Sequence, residues 1–378
     1  MTRTSLALAL VVTLTQAAVA ADRMTVLQTP NGGIQPQAVA DAKGTLHLIY
    51  FKGETGAGDL FYVRREVGKD RFSTPIRVNS RPGSAIATGT VRGGQIALGK
   101  GGSVHVAWNG SGKAKASEGM FHARLNDVGT AFEGQRNLMR DTSVLDGGGT
   151  VAADVAGNVY VAWHAVKTGD RGEENRQVWV ARSTDEGKTF AKETPAWAEP
   201  TGACGCCSTR AYADGKGSVY VLYRSANAGD NRDIYLLSAK EKGADFRGTL
   251  IHKWKIAACP MSTLALAEGP GGVAAAWDTD GQIYFTTVKP GTTEFTKPQA
   301  APGGGGKRKH PALALNAKGE MVLAWTEGTG WQKGGSLAWQ VFDAPGRPTE
   351  EKGRVERGIP VWGVPTVVAT GEGFTVIY

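Results

Sequence analysis

The stretch Gly157 to Trp163 reads GNVYVAW, and variants of it return at near-even intervals along the chain. With that copy, the series starts at Gly44 (GTLHLIY), Gly102 (GSVHVAW), Gly157, Gly217 (GSVYVLY), Gly272 (GVAAAW), Gly319 (GEMVLAW) and Gly373 (GFTVIY), giving spacings of 58, 55, 60, 55, 47 and 54 residues. A repeat of this period is one supersecondary unit stacked many times. Each copy is a turn glycine followed by a tight apolar run that ends on an aromatic ring, the pattern of a strand buried on both faces.

Around this strand the unit fills out in a regular way. A short apolar strand precedes it, as at Thr150 to Ala153 and 311–315, and a third strand follows a loop of variable length, as at 177–182, 233–238 and 282–287. The first five units close on Phe72, Phe132, Phe190, Phe246 and Phe295. This is an antiparallel meander of about four strands, and one meander cannot bury both of its faces. Stacking the meanders face to face around a ring buries them all, which defines an all-β β-propeller with four-stranded antiparallel blades. The chain stops two strands into the seventh copy, so the strand Met24 to Thr29 is expected to complete that blade. Such pairing removes an open sheet edge and gives seven blades, with six as the alternative.

Residues 1–20 carry Arg3, an apolar run from Leu6 to Leu14 and Ala18-Val19-Ala20, the layout of a cleaved secretory signal peptide. That run is too short to span a bilayer. Residues 21–378 are then expected to be one exported domain, periplasmic or extracellular, monomeric and without a membrane span. Its 53 glycines suit many short strands and turns. The formal charge of +8 falls to +7 without Arg3, and Lys307-Arg308-Lys309 is the one dense basic run, so no basic face for nucleic acid is readable.

The eight residues from Ser183 to Phe190, STDEGKTF, resemble the Asp box (SxDxGxTW) of the sialidase-like (BNR-repeat) propellers, with Phe190 where Trp is usual. In that motif Ser183, Asp185, Gly187, Thr189 and Phe190 shape a turn and carry no chemistry. What the resemblance implies for an active site is three arginines around a carboxylate, an acid/base Asp and a Tyr activated by Glu. The place of the first arginine here reads Ile34-Gln35-Pro36-Gln37, and no triad can be assembled. A second resemblance, to a group of secreted sialidase-like propellers, rests on Cys204-Gly205-Cys206-Cys207 together with Trp254 to Pro260. There the first motif is commonly followed directly by Arg and the Cys-Pro by His, whereas this chain has Ser208-Thr209-Arg210 and Met261-Ser262.

Repeat register brings the cysteines together. Cys204 to Cys207 precede the inner strand of the fourth unit, Cys259 that of the fifth and His310 that of the sixth, and in a propeller such crossings lie on one face near the channel mouth. In an exported chain with four cysteines the first reading is disulfides. Adjacent residues are poorly spaced for a bond, which favours Cys204 with Cys207 and Cys206 with Cys259. A second reading is a soft-metal site for copper or zinc, with Met261 and His310 or His252 as extra ligands. A third is a catalytic dithiol. Arg210, Arg224, His164 and Trp331 are expected to face a ligand on this side, and His47 and His105 to be packed in strands.

The sequence therefore describes an exported binding or scaffold protein with a cysteine-rich face, its ligand a glycan or a protein. The alternatives are a sialidase-like glycoside hydrolase and a copper-handling protein.

Overall fold

The computed structural model of the chain describes residues 23–113, 117–240, 243, 245–304 and 306–378; the leader read at residues 1–20 lies outside them. The strands form seven sheets arranged as the blades of a propeller. Blades 1 to 6 begin with the inner strands Ile34–Ala40, Gln95–Leu98, Thr150–Ala153, Arg210–Ala213, Leu264–Gly269 and Arg308–Leu315. Each pairs antiparallel with the second strand that carries the repeated motif, such as Val104–Asn109, Val159–Lys167 or Val219–Arg224, and third and fourth strands follow outward. A fifth strand, Thr142–Ser143, pairs with the extended end of Val159–Lys167 in blade 3.

The repeated motif is central because both of its faces are covered. Every residue of Val104–Asn109 and Val219–Arg224 is buried. The turn before it is built alike in four blades by Asp or Asn three residues ahead of the motif glycine. Oδ1 of Asp41, Asp154, Asp214 and Asn316 accepts two backbone N–H groups each. Gly44, Gly157, Gly217 and Gly319 take φ between 81° and 97°, a left-handed conformation that a side chain would strain. The indoles that end the motif bury their rings and still satisfy their N–H groups: Trp163 donates to Thr142 Oγ1 at 3.3 Å and Trp277 to His252 Nδ1 at 2.8 Å.

Among the described residues seven large apolar clusters occur, each shared by two neighbouring blades, so that blade 1 is joined to blade 2 and so on round to blade 7 with blade 1. The closing phenylalanines serve these interfaces. Phe132 of blade 2 packs edge-on against Tyr62 of blade 1, and Phe190 of blade 3 against His122 of blade 2.

Ring closure holds, with one departure from a uniform four-stranded blade. Blade 7 has three strands, Thr366–Thr370, Gly373–Ile377 and Met24–Leu27, and the N-terminal strand pairs parallel to its neighbour. The direction follows from topology. Inner strands start from one face of the ring, and the N-terminal strand must run toward that face to enter Ile34–Ala40, the same way that Gly373–Ile377 runs. Tyr378 is then tied to the start of the chain by Thr29 N–H and Thr29 Oγ1, which donate to its carbonyl, and by its own N–H to Leu27 O.

Candidate functional site

The segments that lead into the inner strands interlock around the channel mouth. Thr209 N–H donates to Gly148 O at 2.9 Å, joining blades 3 and 4, and Ser208 N–H donates to Ser262 O at 2.9 Å, joining blades 4 and 5. Thr263 and His310 Nδ1 approach to 3.4 Å between blades 5 and 6. Gly147 and Gly148 are needed for this closeness: a Cβ on Gly148 would stand 1.7 Å from Val91 O, and one on Gly147 2.0 Å from Cys207 O.

All four cysteines meet here, as repeat register predicts. Cys206 and Cys259 form a disulfide with Cα atoms 6.1 Å apart. The second bond expected, Cys204 with Cys207, is not formed: these are buried free thiols whose sulfurs lie 2.9 Å apart, in contact but unbonded, and the Cys204 sulfur is 3.5 Å from that of Cys206. The loop is held by the backbone and by charge. Cys204 N–H donates to Arg224 O at 2.9 Å, Gly205 N–H to the Glu173 carboxylate at 2.6 Å and Cys207 N–H to Cys204 O at 3.1 Å. Glu173 also pairs with Arg232 at 2.8 Å. The two free thiols share their protonation: Cys204 is pushed up, first by the sulfur contact with Cys207 and by burial, while the contact with Cys204 and the charge of Arg224 draw Cys207 down against the pull of burial.

For a metal, the donor set is narrower than the sequence suggests. Among the described residues Cys204, Cys206 and Cys207 form the one group of three or more Cys, His, Asp or Glu ligand atoms within 4.8 Å of one another. His252 accepts the Trp277 N–H and packs edge-on to Tyr284, and His310 contacts Thr263. Met261 is half-buried beside Pro260, with φ of 48°. With Cys206 in a disulfide, two thiols remain, and their 2.9 Å separation is shorter than the roughly 3.8 Å edge that Zn–S bonds of about 2.3 Å give a tetrahedron.

Beneath this rim lies a channel cavity of about 450 Å³ lined by the inner strands. Among the described residues its lining carries one arginine, Arg210, and one carboxylate, Glu268. Arg210 donates from Nη1 to Gln37 Oε1 at 3.0 Å and to Gln95 Oε1, so blades 1, 2 and 4 converge on one guanidinium whose two partners are neutral. Burial draws Arg210 down to about 10, which leaves it a cation at neutral pH. Farther along the channel Tyr212 donates to Glu268 Oε2 at 3.3 Å, and Glu268 also accepts Gly215 N–H. Burial and the Glu268 charge push the Tyr212 hydroxyl well up, so it stays protonated.

The other expected residues divide between mouth and packing. Trp331 is 57% exposed and meets Trp362 edge-on at 4.7 Å, within reach of Gly89 on the segment leading into blade 2. Arg224 is fully buried, donating to Arg232 O and Asp278 O beneath the Trp254 ring, and packs between blades instead of facing the open channel. His164 is also buried, with Nε2 donating to Cys207 O at 2.9 Å, so it faces the cysteine loop. The Asp-box residues stand at a hairpin on the opposite face. There Ser183 Oγ donates to Asp185 Oδ1 and accepts Gly187 N–H, Thr189 donates to Asp185 from both backbone and hydroxyl, and these bonds, that of the Thr189 hydroxyl first, hold Asp185 near 2. Sequence reasoning missed Gln37, Gln95, Tyr212 and Glu268; their signal was position, since alternate polar residues on the innermost strands of a propeller point into its channel.

The fold defines the class: a seven-bladed β-propeller. Compared with known protein families and with curated proteins, the sequence matches none. Solved structures share the fold at low identity. An α-L-arabinanase from Penicillium chrysogenum, complexed with arabinobiose, is 14% identical over 85% of this chain and 98% of its own, with a TM-score of 0.54. A protein of unknown function from Dyadobacter fermentans is 14% identical over 84% of this chain and 96% of its own, with a TM-score of 0.53. A Hadza microbial sialidase is 14% identical over 82% of this chain, with a TM-score of 0.52, and this chain spans 65% of its length.

Proposed function

We propose that the protein is an exported binding protein whose channel takes an anionic carbohydrate at the cysteine-bearing face. The observation that carries this reading is Arg210: a half-buried cation lining a cavity of about 450 Å³, with no carboxylate partner among the described residues and its Nη1 oriented by Gln37 and Gln95. A charged guanidinium whose protein partners are neutral amides is suited to a carboxylate, to which it offers charge-assisted bonds. Exposed Trp331 at the mouth offers an aromatic face to a sugar ring. The sialidase and arabinanase that share the fold are enzymes of carbohydrates by their names, which is consistent with a glycan in this channel.

A hydrolase is the second reading, and Tyr212 beside Glu268 is the observation that favours it. Two features weigh toward binding alone. The Tyr212 hydroxyl is pushed up instead of being activated, and the lining holds one carboxylate where acid/base glycoside hydrolysis uses two.

Calorimetric titration with N-acetylneuraminic acid and galacturonic acid, against neutral N-acetylglucosamine and galactose, tests the proposal. The acids are expected to bind and the neutral sugars to bind weakly, with Arg210→Met abolishing the difference. Equal binding of acids by Arg210→Met, or no binding of either acid, refutes it. Release of fluorophore from an aryl sialoside, lost in Tyr212→Phe, would move the assignment to the hydrolase.

A further inference from the structure

The sulfurs are ordered from surface to interior. Cys259 is exposed, Cys206 half-buried, and Cys204 and Cys207 are buried behind them. The steps between them are a bond, then 3.5 Å, then 2.9 Å. Cys204 and Cys207 also stand in Cys-x-x-C spacing, that of redox dithiols, beside the cationic side chains of Arg224 and Arg232. A structural staple between blades needs Cys206 and Cys259 alone and gives no reason for a second pair of thiols in line with it.

We propose that the four cysteines form an internal thiol–disulfide relay, in which the buried Cys204–Cys207 dithiol delivers two electrons through Cys206 to Cys259 and there reduces an external disulfide. In the first exchange Cys207, whose sulfur touches that of Cys204, takes the Cys204 proton and the Cys204 thiolate attacks Cys206: the Cys204–Cys206 bond forms, the Cys206–Cys259 bond breaks, and Cys259 leaves as a thiolate that takes up the proton Cys207 gives up for the second exchange. In the second, Cys207 attacks Cys204, forming the Cys204–Cys207 disulfide and releasing Cys206 as a thiolate. Both steps conserve electrons within the chain and require no outside oxidant. The surface pair then acts outward. Cys259 attacks the external disulfide and releases its first thiol; Cys206 attacks the resulting mixed disulfide at Cys259 and releases the second. The buried dithiol is thereby oxidised, the surface disulfide restored and the co-reactant reduced to two thiols. This activity is independent of the carbohydrate reading, since none of its atoms lines the channel.

The test uses 5,5′-dithiobis(2-nitrobenzoate) as the external disulfide, on native protein brought anaerobically to two thiols per chain. Two equivalents of thionitrobenzoate are expected, with peptide mapping then showing both Cys204–Cys207 and Cys206–Cys259 bonds and no lasting adduct. Cys207→Ser is expected to stop after the first exchange, leaving a Cys204–Cys206 bond and a stable adduct on Cys259. In wild-type protein alone, alkylation under native conditions should label Cys206 and Cys259 while Cys204–Cys207 becomes bonded, so the idea stays testable even where the variant fails to fold. No release of thionitrobenzoate from native protein, adducts mapped to Cys204 or Cys207, or native protein holding copper or zinc on four free thiols would each overturn it.

Discussion

Protonation of His164 is expected to unlock the cysteine loop in acid. Its Nε2–H donates to Cys207 O at 2.9 Å, and its Nδ1 is buried with no partner, so the neutral imidazole fits and the imidazolium does not. Burial, helped by Arg176, draws its pKa from 6.5 down to about 4. Because the folded value lies below the unfolded one, the unfolded chain binds more protons between them. The stabilisation is complete above pH 6.5 and is lost as pH falls toward 4. A difference of this size corresponds to about 2–3 kcal/mol at pH 4.5. His164→Gln keeps a donor for Cys207 O and removes the titration. Denaturant unfolding of both proteins at pH 7.5 and pH 4.5 reads the effect. The variant is expected to be close to wild type, or slightly weaker, at the higher pH and to gain about 2–3 kcal/mol on it at the lower. A gap between the two proteins that is the same at both pH values refutes the reasoning. His105 and His310, drawn by burial to about 4 and about 3, add to the acid sensitivity of wild type in the same direction.

Arg210→Met should leave folding stability unchanged or raise it by about 1–2 kcal/mol, because a desolvated cation with neutral partners is removed while Gln37 and Gln95 turn to channel water; a loss above about 1 kcal/mol in urea unfolding contradicts this. Gly148→Ala forces a Cβ to 1.7 Å from the Val91 carbonyl and should cost at least about 1–3 kcal/mol, read as a lowered denaturation midpoint. Deleting residues 22–30 removes the strand on the edge of Gly373–Ile377 and the half-buried Met24, Val26 and Leu27, so thermal unfolding should shift sharply downward; an unchanged transition would show that the N-terminal strand does not close the ring.

What could be read in the sequence was whatever repeats. Seven copies of one motif give seven second strands, their turns and the order of the blades, since the same burial is met at the same place in each unit. Register likewise placed Cys206 and Cys259 within bonding reach, because neighbouring blades put their lead-in segments side by side. Side-chain direction at the ends of the motif was not legible. His164 and Arg224 each directly follow the aromatic residue that ends the motif, and one residue of alternation decides between the open mouth and the interblade core. Both turn inward, His164 to Cys207 O and Arg224 to two backbone carbonyls. The channel residues were hidden for a different reason. Gln37, Gln95 and Arg210 come from three blades and lie up to 173 positions apart in sequence, and no local pattern couples them.

Strain gathers on the same face as the chemistry. Gln35, Thr90, Met261, His310 and Trp362 all take left-handed φ, between 48° and 70°, and each stands at or just before the start of an inner strand in blades 1, 2, 5, 6 and 7. The inner strands of blades 1 and 6 are irregular at these same points, their registers breaking between Ile34 and Gln37 and between Lys309 and Ala312. Outside glycine this conformation is unfavourable by roughly 1–2 kcal/mol per residue, most of all for a β-branched side chain such as Thr90. The motif turns on the opposite face avoid that cost in four blades, with glycine at 44, 157, 217 and 319. Side chains that take this conformation at the rim can bond to the neighbouring lead-in segments. Gln35 shows how: its amide donates to Ala87 O and Trp362 O, tying blade 1 to the lead-in segments of blades 2 and 7 on either side of it. The strained residues thus hold the rim in place around the channel, and the stability they forgo is supplied by the seven interblade clusters below.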